Sequence, residues 1–477
     1  MRNFKPEKYI IPVLVVGSII VLSFWFIHDP VRDLNVSLPG LDNRPKADTS
    51  AIEIINIGEN FSEYASHNSS LTGKWSRLRG DDFDNINKEK IKLIDKWGPD
   101  GPKILWKVDL GEGHAAPAVY NGRVYLLDYD EIRKRDALRC FALETGTELW
   151  KRSYNVHVKR NHGMSRTVPA VNDKYVVTIG PRGHVMCSGS VNGEFIWGID
   201  LVKEYKSEIP YWYTGQCPLI ENNIAIIAPG GTSLIIALDC ATGEVLWETP
   251  NENNWKLSHS SIIPMTFEGK KMYVYFAVGG ICGISAEGDD VGNILWSTKH
   301  FSPTVVAPSP LVLDDGKLFV TAGYGAGSTL FQLVKEGSSI RVNVLQKFKP
   351  REGLASEQQT PLFSNGYVYG ILPKDAGMLL NQMVCCNTSD FTNFIWTSGK
   401  TERFGLGPYI IADNKFFILK DDGTLCIAKA DETGFQVLDK VRVIEGHDAW
   451  GPIAITDGYL LMRDSKQLVC LNVRADE

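Results

Sequence analysis

The pattern of apolar and polar positions changes character twice along the chain. Residues 9–27 form an uninterrupted run of 19 residues without a charge. As a helix this run is about 28 Å long at about 1.5 Å per residue, which matches the apolar thickness of a bilayer. Residues 29–74 are polar and aperiodic and read as a linker. From residue 104 to residue 473 the pattern is short alternating runs such as Arg123-Val-Tyr-Leu-Leu, Tyr175-Val-Val-Thr-Ile and Tyr367-Val-Tyr-Gly-Ile. Alternation of period two, broken every few residues by turn formers, predicts half-buried β-strands.

The strands fall into repeats. A proline recurs at Pro117, Pro169, Pro218, Pro264, Pro310, Pro361, Pro408 and Pro452, with spacings of 44–52 residues. Each is followed by a turn pair: Asn121-Gly122, Asn172-Asp173, Asn222-Asn223, Glu268-Gly269, Asp315-Gly316, Asn365-Gly366, Asp413-Asn414 and Asp457-Gly458. Such pairs accept positive φ and close tight hairpins. A third strand and a second turn then lead to a closing tryptophan, as in Ala142-Leu-Glu-Thr-Gly-Thr-Glu-Leu-Trp150. Trp106, Trp150, Trp197, Trp247, Trp296 and Trp396 are expected as structural closures of the outer strands, with Leu345 and Leu438 near the equivalent place in two divergent repeats.

The last repeat stops after three strands, ending in Gln467-Leu-Val-Cys-Leu-Asn-Val473. Ile104-Leu-Trp106-Lys-Val-Asp-Leu110 has the sequence of the missing fourth, and pairing the two termini removes two open edges. The expected fold is therefore all-β: an eight-bladed β-propeller of four-stranded antiparallel blades, closed by N- and C-terminal strands, plus one N-terminal transmembrane helix. The organisation reads as a cytoplasmic tail over 1–8, an anchor over 9–28, a linker over 29–74, a leader packing on the propeller over 75–103, and the propeller over 104–477. Arg2, Lys5 and Lys8 precede the apolar run. These charges place the tail in the cytoplasm and the propeller on the periplasmic, extracytoplasmic side of the inner (cytoplasmic) membrane. A cleaved signal peptide is the competing reading, against which the length of the run and its Phe24-Trp-Phe-Ile-His28 end, without a small-residue cleavage site, favour an uncleaved single-pass anchor.

Composition narrows the function. The net charge is −6 and no basic block is present, so a nucleic-acid partner is not expected. Cys140, Cys187, Cys385, Cys426 and Cys470 fall at or within one residue of the same place in the third strand of their repeats. That recurrence reads as packing by a small apolar side chain and not as redox chemistry.

The signature Asp239-Cys-Ala-Thr242-Gly243-Glu-Val-Leu-Trp247 resembles the blade motif of the PQQ-like repeat family, the eight-bladed quinoprotein-type propellers. The resemblance covers residues 104–473. Trp75-Ser-Arg-Leu-Arg79-Gly80 and Trp97-Gly-Pro-Asp-Gly-Pro-Lys-Ile-Leu-Trp106 are similar to the leader that precedes many bacterial members. The family holds quinone-dependent alcohol and sugar dehydrogenases. It also holds non-catalytic members such as the propeller lipoprotein of the outer-membrane β-barrel assembly machinery. The motif thus identifies the blade and leaves the activity open.

Residues just before each repeat proline are expected to line one mouth of the central channel. His114, Arg166, Gln216, His259, Gln359 and Trp450 are the candidate ligand-binding set, joined by His162 and Trp212. A polar and aromatic funnel of this kind suits a small anionic or carbohydrate ligand. Only Glu357 and Asp448 among the mouth residues are acidic, a poor set for calcium. Cys385-Cys386 resembles the adjacent-cysteine disulfide of quinoprotein methanol dehydrogenases, but neighbours in a strand point to opposite faces. Asp289-Asp290, Asp314-Asp315 and Asp421-Asp422 read as solvated turns, and no catalytic or metal-binding residue is assigned. The expectation is a non-catalytic binding or scaffold module for a protein or cell-envelope partner, with membrane contact through residues 9–28 and no cofactor. The alternative is a dehydrogenase using pyrroloquinoline quinone (PQQ) and calcium to oxidise an alcohol or sugar.

Overall fold

The alternating runs become strands because each short turn between them has a conformation that its residues favour. In seven of the eight repeats the first turn pair has positive φ at both residues, from Asn121 (47°) and Gly122 (72°) to Asp457 (50°) and Gly458 (71°). Two successive left-handed residues match the twist of the strands they join. Asn172-Asp173 is the exception. There the Asn172 side chain accepts the amides of Lys174 (2.9 Å) and Tyr175 (2.7 Å) and closes the turn itself.

The computed structural model describes residues 7–27, 54–66, 68–429, 431–446 and 448–475. It divides into two units, residues 1–54 and 55–477. The first contains the helix Glu7–Ile27, whose apolar stretch Ile10–Ile27 is long enough to cross a membrane. The second is an eight-bladed propeller. Blade 1 runs Ala118–Tyr120, Arg123–Asp130, Arg135–Ala142, Glu148–Asn155 from the channel outward, and the later blades repeat that order. Blade 8 takes three strands from the C-terminal end, and Lys103–Asp109 supplies its outer strand with Trp106 opposite Cys470.

The tryptophan signature has a geometric cause. Opposite each tryptophan stands a small residue: Cys140, Cys187, Ala237, Gly283, Cys385 or Cys470. Four of the rings cross to the next blade and donate the indole N–H to a turn carbonyl there. These bonds are Trp106 to Leu143 (2.8 Å), Trp150 to Val191 (3.0 Å), Trp197 to Cys240 (2.9 Å) and Trp396 to Asp431 (3.1 Å). The glycine of the next blade's Thr-Gly turn lies under the ring. A Cβ on Gly146 or Gly243 would come within 2.6 Å of Trp106 or 2.7 Å of Trp197. Trp247 also lies against the next blade, stacked on Tyr273 without an indole bond, whereas Trp296 donates to Met272 Sδ in its own blade. In blades 5 and 7 a bulge puts Gln346 and Asp439 in the tryptophan register, one residue beyond Leu345 and Leu438. A second bulge in blade 6 absorbs the extra residue before Trp396, so Cys385 takes the same slot as the other third-strand cysteines.

The N-terminal side of the propeller differs from the linker expected over 29–74. Residues 29–53 lie outside the described residues, but from Ile55 onward the chain already belongs to the propeller unit. Asn60–Glu63 adds a strand to the outer edge of blade 1. Lys74–Trp75 pairs with the inner edge of the same blade, and Ile86–Asn87 pairs in parallel with the inner edge of blade 7. These additions have too few residues to show a period, which is why the alternation of the sequence does not reveal them.

Candidate functional site

The leader closes one end of the channel. Trp75 folds over Gly80, whose φ is 77° and whose missing Cβ would lie 3.2 Å from the indole. Arg79, with φ 66°, turns back into the channel. From there the segment bonds to the inner edges of six blades. The amide of Asn121 in blade 1 donates to Gly73 O (3.3 Å), and that of Val171 in blade 2 to Ser76 O (2.9 Å). Arg77 donates to Ile220 O in blade 3 (3.1 Å), and Arg79 to Pro361 O in blade 6 (3.1 Å). The amide of Ile411 in blade 7 donates to Asn85 O (2.9 Å), and Asn87 donates to Ile455 O in blade 8 (2.9 Å).

Towards the other end a ladder of side chains fixes the entry to the inner strands. The amide of Val168 donates to Cys217 Sγ (3.1 Å), Cys217 to Ser261 Oγ (2.9 Å), Ser261 to Ser309 Oγ (3.1 Å) and Ser309 to Thr360 Oγ1 (2.9 Å). Each residue stands just before the repeat proline of its blade, except in blade 4. There Ser261 precedes Ile262, and Pro264 lies two residues further on, inside the strand Ile263–Phe267. Proline is tolerated there because an innermost strand has a free edge.

Between strap and mouth lies a cavity of about 430 Å³, within the range of about 300–1,000 Å³ usual for small-molecule sites. His114, Arg166, His259, Gln359 and Trp450 from the expected set line it, together with His162 and Trp212. Gln216 does not. It is fully buried in blade 3, where it accepts the amide of Ala228 (2.9 Å) and donates to the same residue's carbonyl (2.9 Å). The alternation of side chains along the loop turns Gln216 into the blade while Gly215 and Cys217 meet the channel. Three lining residues that matter electrostatically were not in the expected set. Arg79 comes from the leader, and Tyr324 and Lys374 come from the connections between second and third strands of blades 5 and 6.

The walls are aromatic. His114 stacks on Trp450 with ring centroids 3.5 Å apart and 18° between planes. Trp212 stacks on Tyr324 at 5.8 Å and 14°. Each pair carries a cation: Arg166 lies 5.9 Å from the Trp450 centroid and Lys374 5.3 Å from that of Tyr324. Burial, reinforced by Arg463 and Arg166, pushes His114 down to about 2; burial and Arg166 push His259 down to about 4. Both rings are therefore neutral near pH 7. Burial also lowers Arg79 and Arg166 to about 10, which leaves them charged.

The site's donor set does not fit a calcium-bound quinone. A hard cation needs several converging carboxylate and carbonyl oxygens. Among the described residues no three His, Cys, Asp or Glu side chains form a group suited to a metal ion. Glu357 is paired with Lys374 at 3.2 Å. Cys385 and Cys386 are free thiols on opposite faces, Cys385 against Trp396 and Phe416, Cys386 against Val368 and Phe391. Asp421, expected as a solvated turn residue, is half-buried and accepts the amide of Leu406 (3.0 Å).

The model of the family PQQ_2, described as outer membrane protein assembly factor BamB, matches residues 134–375. No curated protein sequence matches the chain. Among solved structures, BamB from Moraxella catarrhalis is similar with a TM-score of 0.53 and 12% identity over 78% of this chain and 99% of that one. A europium-containing methanol dehydrogenase is similar with a TM-score of 0.55 and 11% identity over 83% of this chain and 89% of that one. At such identities both likenesses concern the fold.

Proposed function

The chain belongs to the BamB family of PQQ-like propellers, and from that premise we propose that it is a membrane-tethered, non-catalytic binding module whose open channel mouth faces its partner. One observation carries the reading: the two faces of the propeller differ. The strap covers the channel on one face, whereas the other opens onto the aromatic cavity. Its loops also carry large exposed apolar side chains: Ile132 (92% exposed), Met378 (84%), Tyr211 (79%) and Tyr324 (58%). Large apolar side chains exposed on the loops around an open mouth favour a protein or envelope component that covers them. The apolar helix supplies the tether, and the basic residues ahead of it favour an extracytoplasmic propeller.

The test is site-specific photo-cross-linking in intact membranes. A cross-linker at Tyr211 or Met378 is expected to capture one discrete envelope component. At Val191, exposed on the strap side, it is expected to capture none. Equal labelling from both faces, or none from the mouth face, would refute the reading. Incubation with PQQ and calcium tests the alternative: a stoichiometric bound quinone with dye-linked alcohol oxidation would replace this proposal with an enzyme.

A further inference from the structure

We infer that the blind cavity is the binding site of a carboxylate-bearing carbohydrate, a sugar acid of one or two rings. The inference rests on the mouth being a binding face and names what enters it. Its first support is unpaired charge. Arg79 at the strap end and Arg166 on the wall both line the cavity, and among the described residues neither has a carboxylate within ion-pair distance. Arg79 is held by one carbonyl, Pro361 O, and Arg166 by the carbonyls of Asn161 (3.0 Å) and His162 (2.6 Å). A buried or half-buried cation without a counter-charge is destabilising. Two such cations bordering one cavity are explained by an anion that fills it.

The second support is a set of orphaned polar atoms. Nε of Arg79, Nε of Arg166, Nδ1 of His114 and Oε2 of Glu357 are all buried without a hydrogen-bond partner, and all four residues line this cavity. The two guanidinium nitrogens call for acceptors. The carboxylate oxygen calls for a donor, so a simple carboxylate or inorganic anion leaves it unmet. Glu357 is already neutralised by Lys374, which favours a hydroxyl there over an ammonium group.

The third support is shape and net charge. Arg79, Arg166 and Lys374 stand against Glu357 and Asp448 in the lining, a surplus of one positive charge with His114 and His259 neutral. That surplus suits a monoanion better than a phosphate dianion. The Trp212–Tyr324 and His114–Trp450 stacks offer flat apolar surfaces, on which the C–H faces of a pyranose ring pack while its rim hydroxyls reach polar groups.

The experiment is calorimetric titration of the full-length protein in nanodiscs with D-glucuronate and digalacturonate, and with D-glucose and propionate as controls. One uronate is expected to bind at least tenfold tighter than both controls. Arg166→Gln and Trp212→Ala are each expected to weaken it at least tenfold with an unchanged melting temperature. Arg79→Met, whose side chain also anchors the strap, is judged only if its circular dichroism and melting match the parent. Equal binding of glucose would overturn the acid class and propionate binding equally well would overturn the sugar. Binding of none of the four below 10 mM would overturn the inference. None of these outcomes depends on the cross-linking pattern, which tests the mouth face separately.

Discussion

Asp136 makes propeller stability fall as the pH rises. It lies in the third strand of blade 1, only 1% exposed, and accepts one hydrogen bond from the Tyr154 hydroxyl at 2.8 Å. Burial outweighs that bond and, with Asp128 nearby, raises the carboxyl from 3.8 to about 7. A carboxyl raised in the folded state stabilises fully below its unfolded value, and that contribution is lost as pH rises through about 7. At about 1.4 kcal/mol per unit, the loss between pH 5 and pH 8.5 is roughly 2–3 kcal/mol. Asp136→Asn keeps the shape and an oxygen for Tyr154 but cannot ionise. Scanning calorimetry of both proteins at the two pH values isolates the group, because every other titration is shared. Wild type is expected to lose about 3 °C more than the variant over this interval, from an unfolding entropy of about 2.1 cal/mol/K per residue. Parallel pH profiles for the two proteins would show that the burial argument is wrong.

Three further outcomes follow from the same geometry. Gly243→Ala adds a Cβ 2.7 Å from the Trp197 ring at φ 77°, whereas Gly269→Ala meets nothing within 4 Å at φ 76°. Thermal unfolding should show the first costing about 2 kcal/mol more than the second, which carries only the backbone cost of about 1–2 kcal/mol; equal shifts would deny the ring contact. All nine cysteines are buried free thiols, and burial raises Cys217 to about 11 and Cys282 and Cys385 to about 12. A thiol reagent at pH 8 should label none in the folded protein and nine in denaturant, and rapid labelling of Cys385 or Cys386 before unfolding would contradict this. His259 sits at about 4 because of burial and Arg166, and a bound carboxylate favours its protonated form. Uronate affinity should therefore rise severalfold from pH 7.5 to pH 5, and an affinity that stays flat or falls would remove His259 from the site.

How much of this was legible in the sequence depends on how each signal repeats. The blades were readable because one requirement recurs: a small residue opposite the tryptophan, a bulge beside it, and a glycine under the ring in the next blade. Ring closure was readable because Trp106 carries that same signature far from its partner strand Gln467–Asn472. Where a blade departs from the rule the reading slipped by a residue or two, as at Pro264 and Leu345. The leader is used once, so no period marks it. Its strands pair with inner and outer edges that the repeat leaves open, and their register is set by contacts with residues up to several hundred positions away, such as Gly73 N to Asp457 (2.9 Å).

The same distinction explains the site. Residues before the inner strands recur in every blade, so five of the six expected mouth positions line the cavity. The sixth, Gln216, is displaced only because adjacent loop residues point opposite ways. The groups that give the cavity its charge come from elements outside the repeat: Arg79 from the strap and Lys374 from a loop between strands. A chain with net charge −6 thus holds a cavity whose lining is positive. Net charge governs solubility and long-range encounter, whereas ligand choice follows from the few charges that lack a partner inside. The strap makes this arrangement possible. Without it the channel would be open at both ends and would lack Arg79. By sealing one end over a buried guanidinium, the leader turns a structural hole into a cavity with a directional electrostatic preference. In this reading, the segment that the repeat pattern does not reveal is the one that gives the propeller its chemistry.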